Sequence, residues 1–140
     1  MAIPPISSHL QLQIVSADRL LVNEQVDEVE IPGSEGYLGI LPGHTPLLAL
    51  LKVGIMRYRT NGESHSLVIS WGFVEVLPER VTVMAETARL PQEIDAAAAE
   101  SDLAKYEKEL ADLSSHDPQF AEVEARLEES VAMITVHRGT

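Results

Sequence analysis

Between Leu10 and Val15 the chain alternates, with Leu10, Leu12 and Ile14 on one side and Gln11 and Gln13 on the other. A period of two is the mark of a half-buried β-strand. Residues 16–19 read as a turn and 20–22 as a short second strand. Val26, Val29 and Ile31 alternate less regularly with Asp27, Glu28 and Glu30, which predicts a strand with one acidic face, ended by Pro32. Residues 33–54, GSEGYLGILPGHTPLLALLKVG, hold five of the eight glycines and two of the eight prolines among large apolar side chains. Glycine permits backbone angles that other residues resist and proline fixes φ, so short strands turning tight corners are expected. Within this stretch 33–36 reads as a turn, 37–41 as a strand and Pro42-Gly43 as another turn. Residues 46–51 fit one helical turn or a strand equally well.

A meander follows. Residues 55–59 and 65–70 flank Asn61-Gly62, a pair that tolerates the positive φ of a type I′ hairpin. Trp71-Gly72 interrupts as a bulge or bend does, 73–77 resumes as a strand, Pro78-Glu79 turns, and 81–85 returns. About eight to ten short strands at this density point to a sandwich or flattened barrel.

Near Leu90 the pattern changes. Residues 91–113 contain no glycine and, apart from Ile94, no β-branched residue; Ala, Glu, Lys and Leu dominate. Leu103, Tyr106, Leu110 and Leu113 form a narrow apolar stripe at helical spacing. Ser114-Ser115-His116 breaks it. Asp117 is placed as an N-cap with Pro118 at the first helical position, and Phe120, Val123, Leu127, Val131 and Ile134 stripe a second helix. The short polar connection makes the two an antiparallel hairpin. Two helices alone bury little, so the hairpin is expected either as a movable appendage or packed permanently on the β part.

At 140 residues the chain is long enough for one domain with such an appendage. Twenty-two acidic against ten basic residues give a net charge of −12, which argues against a nucleic-acid binder and leaves docking on a larger protein open. Acid is denser in the hairpin: residues 1–88 carry five basic and ten acidic side chains, residues 89–140 five and twelve. With no cysteine there is no disulfide or thiol chemistry. No apolar run approaches the roughly 20 residues of a membrane span, and MAIPPISSHL lacks the features of a signal peptide. A soluble, intracellular protein without membrane insertion is expected.

Chemistry is sparse. His9, His44, His65, His116 and His137 are scattered without a metal-ligand spacing, so no metal is expected. Gly33-Ser34-Glu35-Gly36 lacks the GK[ST] ending of a phosphate loop, and no serine sits in a nucleophile elbow. Arg57-Tyr58-Arg59, the one basic–aromatic cluster, reads as an ion-paired strand edge. Neither a catalytic residue nor a cofactor is expected.

The run 33–54, then Trp71-Gly72-Phe73-Val74-Glu75-Val76 and the closing Val81-Thr82-Val83-Met84-Ala85-Glu86-Thr87-Ala88, strongly resembles the epsilon subunit of bacterial and chloroplast-type F-type ATP synthases. The resemblance extends from Leu10 to the last helix. It implies a ten-stranded N-terminal β-sandwich, residues 1–88, followed by a C-terminal two-helix antiparallel hairpin, residues 89–140. It implies a non-catalytic central-stalk subunit of a proton-translocating enzyme, bound to the gamma subunit and touching the ring of c subunits. By similarity, Glu35, Gly36, Tyr37, Pro42, Gly43 and His44 form the c-ring interface, although many relatives carry a charged residue at the position of Tyr37. In several relatives the hairpin is regulatory, contacting the alpha and beta catalytic subunits and hindering ATP hydrolysis. The implied location is the cytoplasmic face of a bacterial plasma membrane, with a thylakoid membrane as the alternative.

One departure stands out. Relatives that bind ATP in the hairpin carry Ile/Leu-Asp-x-x-Arg-Ala, and here Ile94-Asp95-Ala96-Ala97-Ala98-Ala99 places Ala98 where the arginine belongs. The motif is degenerate and weak or absent ATP binding follows. Two other readings of the residues are a generic sandwich adaptor with a helical docking arm, which leaves the run 33–54 unexplained, and a small hydrolase or sugar-binding sandwich, which lacks a catalytic cluster.

Overall fold

The computed structural model describes residues 8–139. Eight strands surround one apolar core: β1 (Leu10–Val15), β2 (Leu20–Val26), β3 (Glu28–Gly33), β4 (Gly36–Ile40), β5 (Leu47–Leu51), β6 (Gly54–Thr60), β7 (Glu63–Leu77) and β8 (Arg80–Arg89). Their order is β2-β1-β8-β7-β5-β3-β4, with β6 bridging β3 and β7. The sheet is mixed, because β1 runs parallel to β8 while the other pairs are antiparallel. The ambiguous stretch 46–51 resolves as a strand. Pro32 lies inside β3 rather than ending it, and its carbonyl accepts the Lys52 N–H at 3.0 Å.

Residues 47–60 and 63–76 form one long hairpin around Asn61-Gly62, where Thr60 pairs with Glu63. The turn has φ of 52° at Asn61 and 81° at Gly62, the two positive values of a type I′ turn. Eight strands stand where the resemblance implied ten, in part because the interruption at Trp71-Gly72 does not end a strand. Before it, Leu67 and Ile69 face the core; after it, Val74 and Val76 do. The inward positions switch from odd to even as β7 crosses from one layer of the sandwich to the other. Positive φ at Trp71 (51°) and Gly72 (124°) makes the switch, and β8 switches beside it, from Val81, Val83 and Ala85 to Ala88. At the corner the buried Ser70 hydroxyl is hydrogen-bonded to Thr87, so no polar atom is stranded there.

A 3₁₀ turn, Pro91–Glu93, leads into α1 (Ala96–Ala111), which begins five residues later than the pattern suggested. Asp95 caps it, its carboxylate accepting the Ala98 N–H at 3.1 Å. The expected stripe of Leu103, Tyr106, Leu110 and Leu113 is half-buried against α2 (Phe120–His137). Asp117 does not cap α2 as expected. Its carboxylate accepts the Gln119 N–H at 2.9 Å, closing a local turn, and the helix starts one residue after Gln119.

Candidate interaction surfaces

In β5 the odd positions, ending at the buried Leu51, face the core, which turns Leu48 and Leu50 outward. These are 69% and 65% exposed. Register sets Leu50 opposite Phe73 and Phe73 opposite Met84, while Leu48 faces Glu75. Phe73 is nearly half exposed on that side, and Trp71, as exposed at the corner, borders a groove against Ala121 and Ala125 of α2. The outer face of this layer therefore carries a contiguous apolar strip on rigid, hydrogen-bonded strands. A monomer gains nothing from such a strip, and clusters of this kind mark protein contacts. The sequence signal was the run Leu47-Leu48-Ala49-Leu50-Leu51, too apolar for a strand with one wet face.

The six residues assigned to the ring by similarity do not form one patch. Glu35 lies in the β3–β4 turn and Gly36 opens β4; Pro42, Gly43 and His44 lie in the loop beyond the other end of β4. The four strand residues 37–40 separate the groups by roughly 13 Å or more at about 3.3 Å per residue. The Ser34 N–H donates to the Leu50 carbonyl (2.9 Å), and the Gly43 N–H donates to the Pro78 carbonyl (2.7 Å). β5 thus runs from the His44 loop to the Glu35 turn, with Leu48 and Leu50 along the way. Tyr37 is 51% exposed, yet its hydroxyl lies 3.4 Å from the Ile55 N–H, and its ring lines an apolar groove whose opposite wall is Leu127 and Val131 of α2.

The hairpin rests on the sandwich through α2. Ala132 and Val136 bury against Val68 of β7 and Ile94 of the linker, with Ile55 and Met133 at the margin. Two residues of the degenerate nucleotide motif thus have structural work: Ile94 fills this seat and Asp95 caps α1. Ala98 is exposed and supplies only its backbone N–H. Across the linker, Arg19 pairs with Glu93, joining the β1–β2 turn to the 3₁₀ turn, and Arg138 pairs with Glu100 across the hairpin at 3.7 Å. The Arg57 and Arg59 edge is ion-paired to Glu30 and Glu28, as the cluster suggested. Between those arginines Tyr58 turns inward, where burial and then the Glu24 charge raise the pKa of its hydroxyl. Among the described residues no helix is long and apolar enough to cross a membrane.

Residues 9–91 match the family described as ATP synthase, delta/epsilon chain, beta-sandwich domain. The ATP synthase epsilon chain of Herpetosiphon aurantiacus is 45% identical over 118 residues, covering 84% of this chain and 87% of that one. That of Koribacter versatilis is 45% identical over 100 residues, 71% and 70% of the two chains. ATP synthase epsilon chain 2 of Syntrophotalea carbinolica is 39% identical over 127 residues, 91% and 92%. A chain of the cryo-EM structure of the Euglena gracilis mitochondrial ATP synthase (OSCP, F1 and c-ring) superposes with a TM-score of 0.79 at 25% identity, covering 94% of this chain and 82% of that one.

Proposed function

The chain belongs to the ATP synthase delta/epsilon chain family, and on that premise we propose that it is the epsilon-type subunit of the central stalk of an F-type ATP synthase. It has no catalysis of its own; it joins the c ring to gamma so that rotation passes between them. The observation that carries this reading is the exposed strip Leu48, Leu50 and Phe73 on the outer face of β5 and β7. It is the surface against which gamma packs. A sheet face suits torque, since close-packed interiors transmit strain where loops would yield. The Glu35-Gly36 turn and the Pro42-Gly43-His44 loop, at the two ends of β4, take the ring contacts. Residues 1–88 and 89–140 act as separate units, the second a hairpin that reaches the alpha and beta subunits when it leaves its seat. The protein works as a peripheral subunit on the cytoplasmic face of a bacterial plasma membrane, as the bacterial origin of its relatives supports.

Co-purification tests this. Tagged wild-type chain is expected to retrieve gamma and, in mild detergent, the c ring. Leu50→Asp and Phe73→Asp change exposed side chains and should lose gamma while keeping the wild-type circular dichroism and melting profile. Undiminished retrieval of gamma by both folded variants overturns the assignment of the strip.

A further inference from the structure

At the C-terminal end of α2 the sandwich is open. A cleft of about 600 Å³ lies between β2 and the first half of β7, within the size range of small-molecule sites. Glu24 shares its side of β2 with the buried Val22 and Val26 and stands opposite the buried Leu12 of β1. Its carboxylate therefore overhangs the open end of the core. An inward-pointing charge on an edge strand also discourages edge-to-edge pairing, but that role calls for neither an aromatic wall nor a roof. Both are present. Tyr58 and His65, register partners on β6 and β7, stack with ring centroids 5.0 Å apart at 21°, and they line the same cleft as Glu24. Val136, His137 and Gly139 from the end of α2, with Leu90 and Pro91 of the linker, close the other side.

The electrostatics of the cleft have one sign. A helix C-terminus carries partial negative charge. Glu24 adds a full one, and no ion pair to it is formed among the described residues. No Lys or Arg is among the described residues that line the cleft. Phosphates are repelled, whereas an ammonium ion gains from the carboxylate, the helix end and the aromatic faces together.

We propose that this cleft is a binding site for an organic ammonium ion with a planar apolar body, its ammonium held by Glu24 at the end of α2 and its ring against the Tyr58–His65 pair. Because one wall belongs to the hairpin and the others to the sandwich, occupancy holds α2 on its seat; a ligand favours the state that forms its site. Binding itself does not depend on the rotor assignment.

The test uses the full chain and tryptamine, with indole-3-acetate as the same ring bearing the opposite charge. Titration followed by NMR should shift the His65 and His137 ring signals saturably with tryptamine and leave them unmoved with indole-3-acetate. Tryptamine should also slow hydrogen exchange along α2. Glu24→Gln should weaken tryptamine about tenfold, the scale of a charge-assisted hydrogen bond, while Glu75→Gln on the outer face of β7 leaves affinity unchanged. His65→Ala, which removes the stacked wall without touching Glu24, should weaken it severalfold. Equal binding of the two indoles, or full affinity in both Glu24→Gln and His65→Ala, overturns the proposal.

Discussion

Single residues carry the corner of the sandwich and one part of its pH response. A Cβ at Gly72 would collide with the Met84 carbonyl, and the position has φ of 124°. Space and backbone conformation both forbid a side chain, so Gly72→Ala should cost on the order of 3 kcal/mol or more, read as a lowered urea midpoint. A cost under about 1 kcal/mol would mean that the two strands are free to separate there. Tyr58 ionises in the folded chain above its ordinary value of 10.0, because burial, and then Glu24, disfavour the phenolate. The unfolded chain releases that proton first. The associated stability is therefore intact below the unfolded value and lost as pH rises through the folded one. Between about pH 9 and about pH 11 the urea midpoint of the wild type should fall more steeply than that of Tyr58→Phe; parallel curves would refute the role of Tyr58. The Gly72 corner was visible in the sequence as an interruption. The switch of inward positions from odd to even was not, since it depends on two consecutive left-handed residues that composition does not reveal.

The same contrast recurs at the level of elements. Period-two alternation located β1 directly, because one face is wet and the other dry, and the positive-φ tolerance of Asn61-Gly62 located the turn. β5 defeated periodicity: its two sides are apolar for different reasons, one packed inside and one turned to a partner. On α2 the stripe from Phe120 to Ile134 was legible, but Ala132, which buries on another face, carries almost no hydropathy signal. The hairpin seat was hidden for that reason. It is small: among the described residues it buries four side chains against nineteen in the main core cluster. Ala132→Glu should therefore unseat α2 and speed exchange of its amides, leaving those of β7 and β8 protected; equal loss of protection in the strands would make the hairpin part of the cooperative core. Within the seat Asp95 is a cap, so Asp95→Ala should cost α1 about 1 kcal/mol, read as faster exchange at its first turn. Nucleotide affinity should be affected little, being millimolar or weaker from the start because Ala98 offers no guanidinium.

Across the whole molecule, the charge division and the seat together decide how strongly the hairpin regulates. Its acid excess is twelve to five, and of its five basic residues Arg126 and Arg138 are already paired with Glu122 and Glu100. An unseated hairpin would approach the catalytic subunits with few free cations to hold it on acidic segments, while its seat on the sandwich is reinforced by the Arg19–Glu93 pair across the linker. Exposed pairs of this kind contribute little singly, about 0–1 kcal/mol, so the seat is biased rather than locked. Removing residues 89–140 from the assembled enzyme should then raise ATP hydrolysis by about threefold or less, equivalent to less than about 1 kcal/mol of inhibition. The comparison must be made at one ionic strength, since added salt weakens the Arg19–Glu93 pair and shifts hairpins off their seats. A tenfold or greater activation on truncation would show that apolar contacts of the α2 stripe, rather than charge, hold the extended hairpin in place.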